Sequence, residues 1–332
     1  MVDFLAEWNN DFPYVEVKTS GSTGEPKMMR VEKRRMLNSA RITCNFLGLK
    51  RGDIALLCLS TDYIAGKMMV VRALERGMRL ISIEPKGCPE WEGTVDLAAM
   101  VPLQVWNLLQ QHPSQLKQIR HLLIGGGAID ERMEDALKDF PNAIWSTYGM
   151  TETLSHIALR RLNGPTVSDW YTPFEGVTLS QTDEGCLVID APAVHDGPLV
   201  TNDIVEFALN SKLSSLNSKP SSLNSKRFRI IGRKDNVICS GGIKIQMEEV
   251  ERLLRPHLSI PYIITRAKDE RLGEMVVLLT EGGNPDEVKA VCERVLPKYW
   301  QPRRVLIVDH LPMTDTGKPA RAEAEKLARQ RV

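Results

Sequence analysis

Apolar residues along this chain fall into two alternating patterns. Short apolar runs, IALLCL at 54–59, LISI at 80–83, HLLIG at 121–125 and AIWSTYG at 143–149, are separated by stretches whose apolar positions recur with the helical period, at 32–47 and 64–76. Strands buried on both faces read as continuous apolar runs, and helices laid over them read as stripes, so the alternation predicts an α/β sheet layered by helices. From 177 to 231 the pattern changes. VTLSQTDEGCLVID and DIVEFAL are β-rich with turn signals, which predicts a smaller, mostly antiparallel unit after the α/β body. Beyond Gly232 the last 100 or so residues have the size of a small independent domain. Their pattern predicts a helix at 246–255, strands near 261–267 and 275–280, a helix at 285–296 and a strand at 304–308, a compact α+β lid. The expected division is an N-terminal domain over 1–231, with its β-rich subdomain from about 165, and a mobile C-terminal domain over 232–332.

One stretch fits neither pattern. Between 210 and 226 the chain reads NSKLSSLNSKPSSLNSK, a near-repeat of seven residues. One leucine per repeat among Ser, Asn and Lys buries too little surface to offset ordering entropy, so the stretch predicts a disordered expansion at a hairpin tip and not a coiled-coil seam.

Composition narrows the chemistry. The 332 residues suffice for two domains, and 43 basic against 42 acidic residues leave a net charge of +1, which favours neither nucleic acid nor an anionic membrane as the main partner. Small-molecule chemistry fits better. Six scattered cysteines without CxxC or a Cys/His cluster read as reduced thiols and not metal ligands. The opening MVDFLAEWNNDFPYVEV has acidic residues where a signal peptide needs basic ones, and no apolar stretch approaches the ~20 residues of a membrane span. A soluble, cytoplasmic protein is expected.

The densest chemical signal is TSGSTGEPK, which follows the strand-like YVEVK. Gly21 and Gly24 let backbone approach a ligand closely; the hydroxyls of Thr19, Ser20, Ser22 and Thr23, with exposed backbone N–H groups, suit phosphate oxygens; Lys27 supplies the counter-charge. It is not a Walker A loop, because Pro26 precedes the lysine and Met28 follows it.

That loop resembles the signature of the adenylate-forming superfamily, which comprises acyl-CoA synthetases, adenylation domains and luciferases. Its other signatures follow in family order: GGGAID at 125–130, YGMTE at 148–152, TND at 201–203, GRKDNVICSGGIKI at 232–245 and PMTDTGK at 312–318. The resemblance implies an enzyme that activates a carboxylic acid with ATP and Mg2+ as an acyl-adenylate and passes the acyl group to coenzyme A. It implies that Gly125, Gly126 and Gly127 line the adenine, that Tyr148 stacks on it, that Thr151 contacts the α-phosphate and that Glu152 holds the metal. Asp203 would accept from the ribose hydroxyls with Arg233 assisting, and Asp235 would be the hinge between two poses of the C-terminal domain. Ser240, Gly241, Gly242 and Lys244 would close over the acyl site and the pantetheine channel, and Lys318 would stabilise the charge that builds as the acid attacks the α-phosphate.

Within the superfamily the chain is most similar to compact o-succinylbenzoate-CoA ligases of menaquinone synthesis, through the 18 residues before its phosphate loop, CLSTDYIAGKMMVVRALERG at 58–77 and YGMTETLSHIALR at 148–160. A dicarboxylic substrate needs donors for the carboxylate that does not react, and Arg72, Ser155 and His156 are the candidates. The short start leaves open whether a partner subunit, as in a homo-oligomer, completes the pocket. Two rival readings stand beside the ligase: an adenylating enzyme that loads a carrier protein, and a nucleotide-binding regulatory relative without activity.

Overall fold

The computed structural model describes residues 1–18, 28–127, 129, 131–208, 227–314 and 319–331. The chain divides into two compact units, the first comprising Met1–Ser180, Val188–Leu199 and Phe207–Arg229, the second Gln181–Leu187, Val200–Glu206 and Ile230–Val332. The low-complexity stretch at 210–226 lies outside the described residues.

The predicted α/β sheet is the frame of the first unit. Its strands run in the order Arg79–Ser82, Ile54–Leu57, Val95–Met100, Ile119–Ile124, Ala143–Gly149, His156–Arg161 and Thr172–Pro173. The first five pair in parallel and the last two add antiparallel, so the sheet is mixed. Leu56, Ala98, Leu122 and Ile144 of successive parallel strands share one core with Val105, Leu108, Met133 and Leu137 from the helices Pro102–Gln111 and Glu131–Leu137. Pro102 opens the first of these helices, where its missing N–H costs nothing, and the Gln104 side chain accepts from the Val101 N–H at 3.2 Å.

The two helices read from the sequence form at Lys33–Phe46 and Ile64–Arg76. Met36, Ala40 and Cys44 bury one stripe of the first; Met68, Met69, Val71 and Arg72 are buried on the second. A separate pair of antiparallel strands, Tyr14–Lys18 and Met28–Glu32, has Lys18 opposite Met28, so the two residues that flank 19–27 are paired across a ladder. The β-rich stretch forms a sheet of Thr178–Gln181, Cys186–Asp190, Leu199–Phe207 and Phe228–Arg233 in sequence order.

In the second unit a five-stranded sheet is built on Gly273–Thr280. Val276 and Leu278 on one face pack with Met247, Val250, Leu254, Val288 and Cys292. Met275, Val277 and Leu279 on the other face pack with Ala324 and Ala328 of the final helix Arg321–Arg331. Burial on both faces is why the strand reads as an unbroken apolar run. Among the described residues no helix is long and apolar enough to cross a membrane.

Candidate functional site

Several predicted residues cluster where parallel strands of the first unit end. Gly125 follows the strand Ile119–Ile124, and its N–H donates to the Met100 carbonyl at 3.1 Å. A Cβ there would lie 2.3 Å from the Thr147 hydroxyl of the next strand, so only glycine fits. Gly126 turns the chain at φ 77°, and Gly127 follows it. The remaining positions of GGGAID are described only at Ile129.

Tyr148 sits next to Thr147 on the strand Ala143–Gly149 and is 6% exposed. Its ring meets Phe228 edge-on at 5.1 Å and Tyr171 at 6.0 Å, and Tyr171 stacks on Phe228 at 5.5 Å. Such an aromatic group offers π surface of the kind a purine stacks on.

After Gly149 the chain makes a tight turn. The Thr153 hydroxyl accepts from Met150 N–H at 3.0 Å and lies 2.8 Å from the Ser155 carbonyl. Leu154 is the one non-glycine with positive φ (65°) among the described residues, and Leu154 N–H donates to the Thr151 carbonyl at 2.9 Å. A buried leucine in the left-handed region costs roughly 1–2 kcal/mol, which the surrounding bonds must hold in place. The turn leaves Thr151 and Glu152 half-buried and sends Ser155 and His156 back toward the sheet. Among the described residues no three His, Cys, Asp or Glu side chains group as a metal cage. Glu152 alone fits a magnesium ion of the kind bound through one or two carboxylates and substrate phosphates.

The three candidates for a second substrate carboxylate come together. Arg72, on the helix Ile64–Arg76, donates from Nη2 to Ser155 Oγ at 2.5 Å, and Ser155 Oγ lies 3.3 Å from His156 Nδ1. Burial lowers the Arg72 guanidinium to about 10, and among the described residues its other hydrogen bond, from Nη1, goes to the Met69 sulfur at 3.6 Å. Its Nε is buried without a hydrogen-bond partner among the described residues. His156 is buried as well; desolvation, then the nearby Arg72 charge, holds its pKa well below 6.5 and keeps it neutral. Its Nε2 lies 3.0 Å from Thr43 Oγ1, a contact for which the sequence gives no local signal. A cleft of about 20 Å³, room for about one water, opens beside His156 between Ser39, Ile42, Phe174, Val177 and Val194.

The second unit assembles another group. Arg233 Nη1 donates to Asp203 Oδ1 at 3.3 Å and Nη2 to Asp235 Oδ2 at 3.0 Å, so one guanidinium spans the predicted ribose and hinge carboxylates. Asn202, unremarked in the sequence, adds a bond to Asp235 Oδ2 at 3.2 Å. Asp235 lies in the short 3-10 turn Lys234–Asn236. Ser240, Gly241, Gly242 and Ile243 make a two-residue hairpin, with Ser240 opposite Ile243 and both glycines at positive φ, as such a turn requires. Lys244 is exposed opposite Cys239.

Thr19, Ser20, Gly21, Ser22, Thr23, Gly24 and Lys27 lie outside the described residues, as does Lys318. The ends of the terminal motif are described: Met313 bridges Pro319, and Ala320 N–H donates to the Pro312 carbonyl at 2.9 Å.

The chain resembles known proteins in sequence and in fold. The family model of AMP-binding enzymes matches residues 7–188, and that of the AMP-binding enzyme C-terminal domain matches 264–318. A 2-succinylbenzoate–CoA ligase of Geobacillus kaustophilus (strain HTA426) is 27% identical over 93% of this chain and 68% of that ligase. An acyl-CoA synthetase (AMP-forming)/AMP-acid ligase II-like protein from Dyadobacter fermentans is 30% identical with a TM-score of 0.62, over 96% of this chain and 90% of that one. The o-succinylbenzoate coenzyme A synthetase of Bacillus subtilis, solved with ATP and magnesium ion, shares the fold at a TM-score of 0.74 and 20% identity, over 93% of this chain and 69% of that one. The chain therefore belongs to the family of AMP-binding enzymes.

Proposed function

We propose that this enzyme is an AMP-forming acid–CoA ligase acting on o-succinylbenzoate. The observation that carries the substrate is Arg72, a buried guanidinium with no carboxylate partner among the described residues. An unpaired buried cation is costly, and an anionic group of the substrate is what offsets that cost.

The first half-reaction joins the acid's reacting carboxylate to the α-phosphate of ATP and releases pyrophosphate. Thr19 to Thr23, Gly24 and Lys27 cradle the phosphates, the glycines at 125–127 and Tyr148 take the adenine, and Asp203 with Arg233 takes the ribose. Thr151 touches the α-phosphate. Glu152 would hold magnesium, which would supply charge neutralisation beside the phosphates. Lys318 stabilises the oxygens that gain charge as two anions are brought together. In the second half-reaction the CoA thiol attacks the acyl carbonyl and AMP leaves. The domain 232–332, hinged at Asp235, presents Ser240, Gly241, Gly242 and Lys244 for that step while the domain 1–231 keeps the adenylate. The protein works in the cytoplasm with ATP, CoA and a small acid as its partners, as a monomer or homo-oligomer.

ATP/pyrophosphate exchange over a panel of aryl and aliphatic acids, followed by CoA, tests the reading. Exchange with o-succinylbenzoate and its conversion to the CoA thioester is the expected result. Exchange without thioester on free CoA would replace the ligase with a carrier-loading enzyme, and no exchange with any acid would remove catalysis.

A further inference from the structure

Behind Arg72 lies a chain of buried hydrogen bonds whose direction follows atom by atom. Thr43, on the helix Lys33–Phe46, is fully buried, and its hydroxyl lies 3.2 Å from the Ser39 carbonyl four residues back. A carbonyl only accepts, so the Thr43–Ser39 hydrogen bond takes the single hydroxyl hydrogen of Thr43. Toward His156 Nε2, at 3.0 Å, Thr43 then has only lone pairs to offer, and Nε2 must carry the imidazole proton. His156 is neutral, which leaves Nδ1 bare and able to accept the Ser155 hydroxyl hydrogen at 3.3 Å. With its hydrogen spent there, Ser155 Oγ has only lone pairs for Arg72 Nη2 at 2.5 Å.

We propose that Thr43 is a positioning residue for acid selection: by fixing the Nε2–H tautomer of His156 it makes Ser155 a pure acceptor, which anchors Arg72 by Nη2. The guanidinium N–H groups bonded to neither Ser155 nor Met69, including Nε, which has no partner among the described residues, are then left for the second carboxylate of the acid. This rests on the reading above that Arg72 receives that carboxylate. With the opposite tautomer, Nδ1–H and Nη2–H would both point at Ser155 Oγ, the serine hydrogen would turn away, and the Thr43 and Ser39 oxygens would face each other without a hydrogen between them.

Two measurements test this. In ¹⁵N-histidine-labelled protein, with the His156 resonances assigned by their loss in His156→Asn, long-range ¹H–¹⁵N spectra should show the Nε2–H tautomer in the wild type and in Thr43→Ser, and its loss in Thr43→Val. In steady-state kinetics Thr43→Val should raise KM for o-succinylbenzoate about five-fold, the worth of roughly one hydrogen bond, with KM for ATP and kcat within two-fold, and Thr43→Ser should restore it. An Nδ1–H tautomer in the wild type, or equal rises in KM for acid and ATP, would overturn the inference. A wild-type enzyme that uses no dicarboxylic acid would instead overturn the substrate reading, which the spectra do not depend on.

Discussion

Arg72 Nη2 and Ser155 Oγ lie 2.5 Å apart, joining a helix of the first unit to the turn that follows its fifth parallel strand. The serine is neutral, so the contact holds the guanidinium without cancelling its charge. Burial has pushed Arg72 down to about 10, still far above neutral pH, so it stays cationic.

Arg72→Ala should therefore weaken the use of o-succinylbenzoate by about 1.5–3 kcal/mol in kcat/KM, the worth of a charge-assisted hydrogen bond. KM for ATP should hardly change. Comparing dicarboxylic with monocarboxylic acids checks this, and equal losses for both would take Arg72 out of the pocket.

His156 makes stability depend on pH. Its folded pKa is depressed well below 6.5, by burial first and Arg72 second, so below pH 6.5 the unfolded chain binds a proton that the folded protein does not. Stability is then full above about pH 6.5 and falls as the pH drops, by at most about 1.4 kcal/mol per pH unit for this one group. His121, lowered to about 4 by burial and then by Arg120, acts in the same direction down to that pH. Urea unfolding of wild type, His156→Asn and His121→Asn at pH 7.5 and 5.0 should show a smaller acid loss in each variant than in the wild type. An undiminished loss in His156→Asn would show that this histidine is not held neutral.

Deleting 211–225 should leave turnover within a few-fold, because a repeat of Ser, Asn, Lys and Leu adds little to any core. The described flanks support this, since Ala208 N–H donates to the Arg227 carbonyl at 2.8 Å and a short turn can join them. Steady-state assay of the soluble deletion variant is the check; collapse of activity would make the repeat a functional element.

What was legible in the sequence depended on whether its signal was local. The helix Ile64–Arg76 appeared at its expected residues because its apolar stripe is continuous. The final helix, RAEAEKLARQR, went unread because it buries only Ala324 and Ala328, too little for a stripe among charged residues. At the site, the resemblance of 58–77 and 148–160 to the ligase subgroup, with the demand of a second carboxylate, picked out Arg72, Ser155 and His156, which the fold brings together. Thr43 lies 113 positions from His156, and a threonine inside a helix looks the same whether or not a histidine waits for its oxygen. The packing of Tyr148 against Phe228 is equally non-local, since it joins two different sheets.

The most direct test of the two-step reaction separates its halves in one variant, Lys318→Ala. If the ammonium serves only the attack on the α-phosphate, adenylate formation, followed as ATP/pyrophosphate exchange, should slow by about 10²-fold or more, the usual cost of losing one preorganised electrostatic contact. Given chemically made o-succinylbenzoyl-adenylate and CoA, the same variant should form thioester at close to the wild-type rate, because thiol attack on the acyl carbonyl makes no demand at pyrophosphate. Equal slowing of both half-reactions would contradict the account.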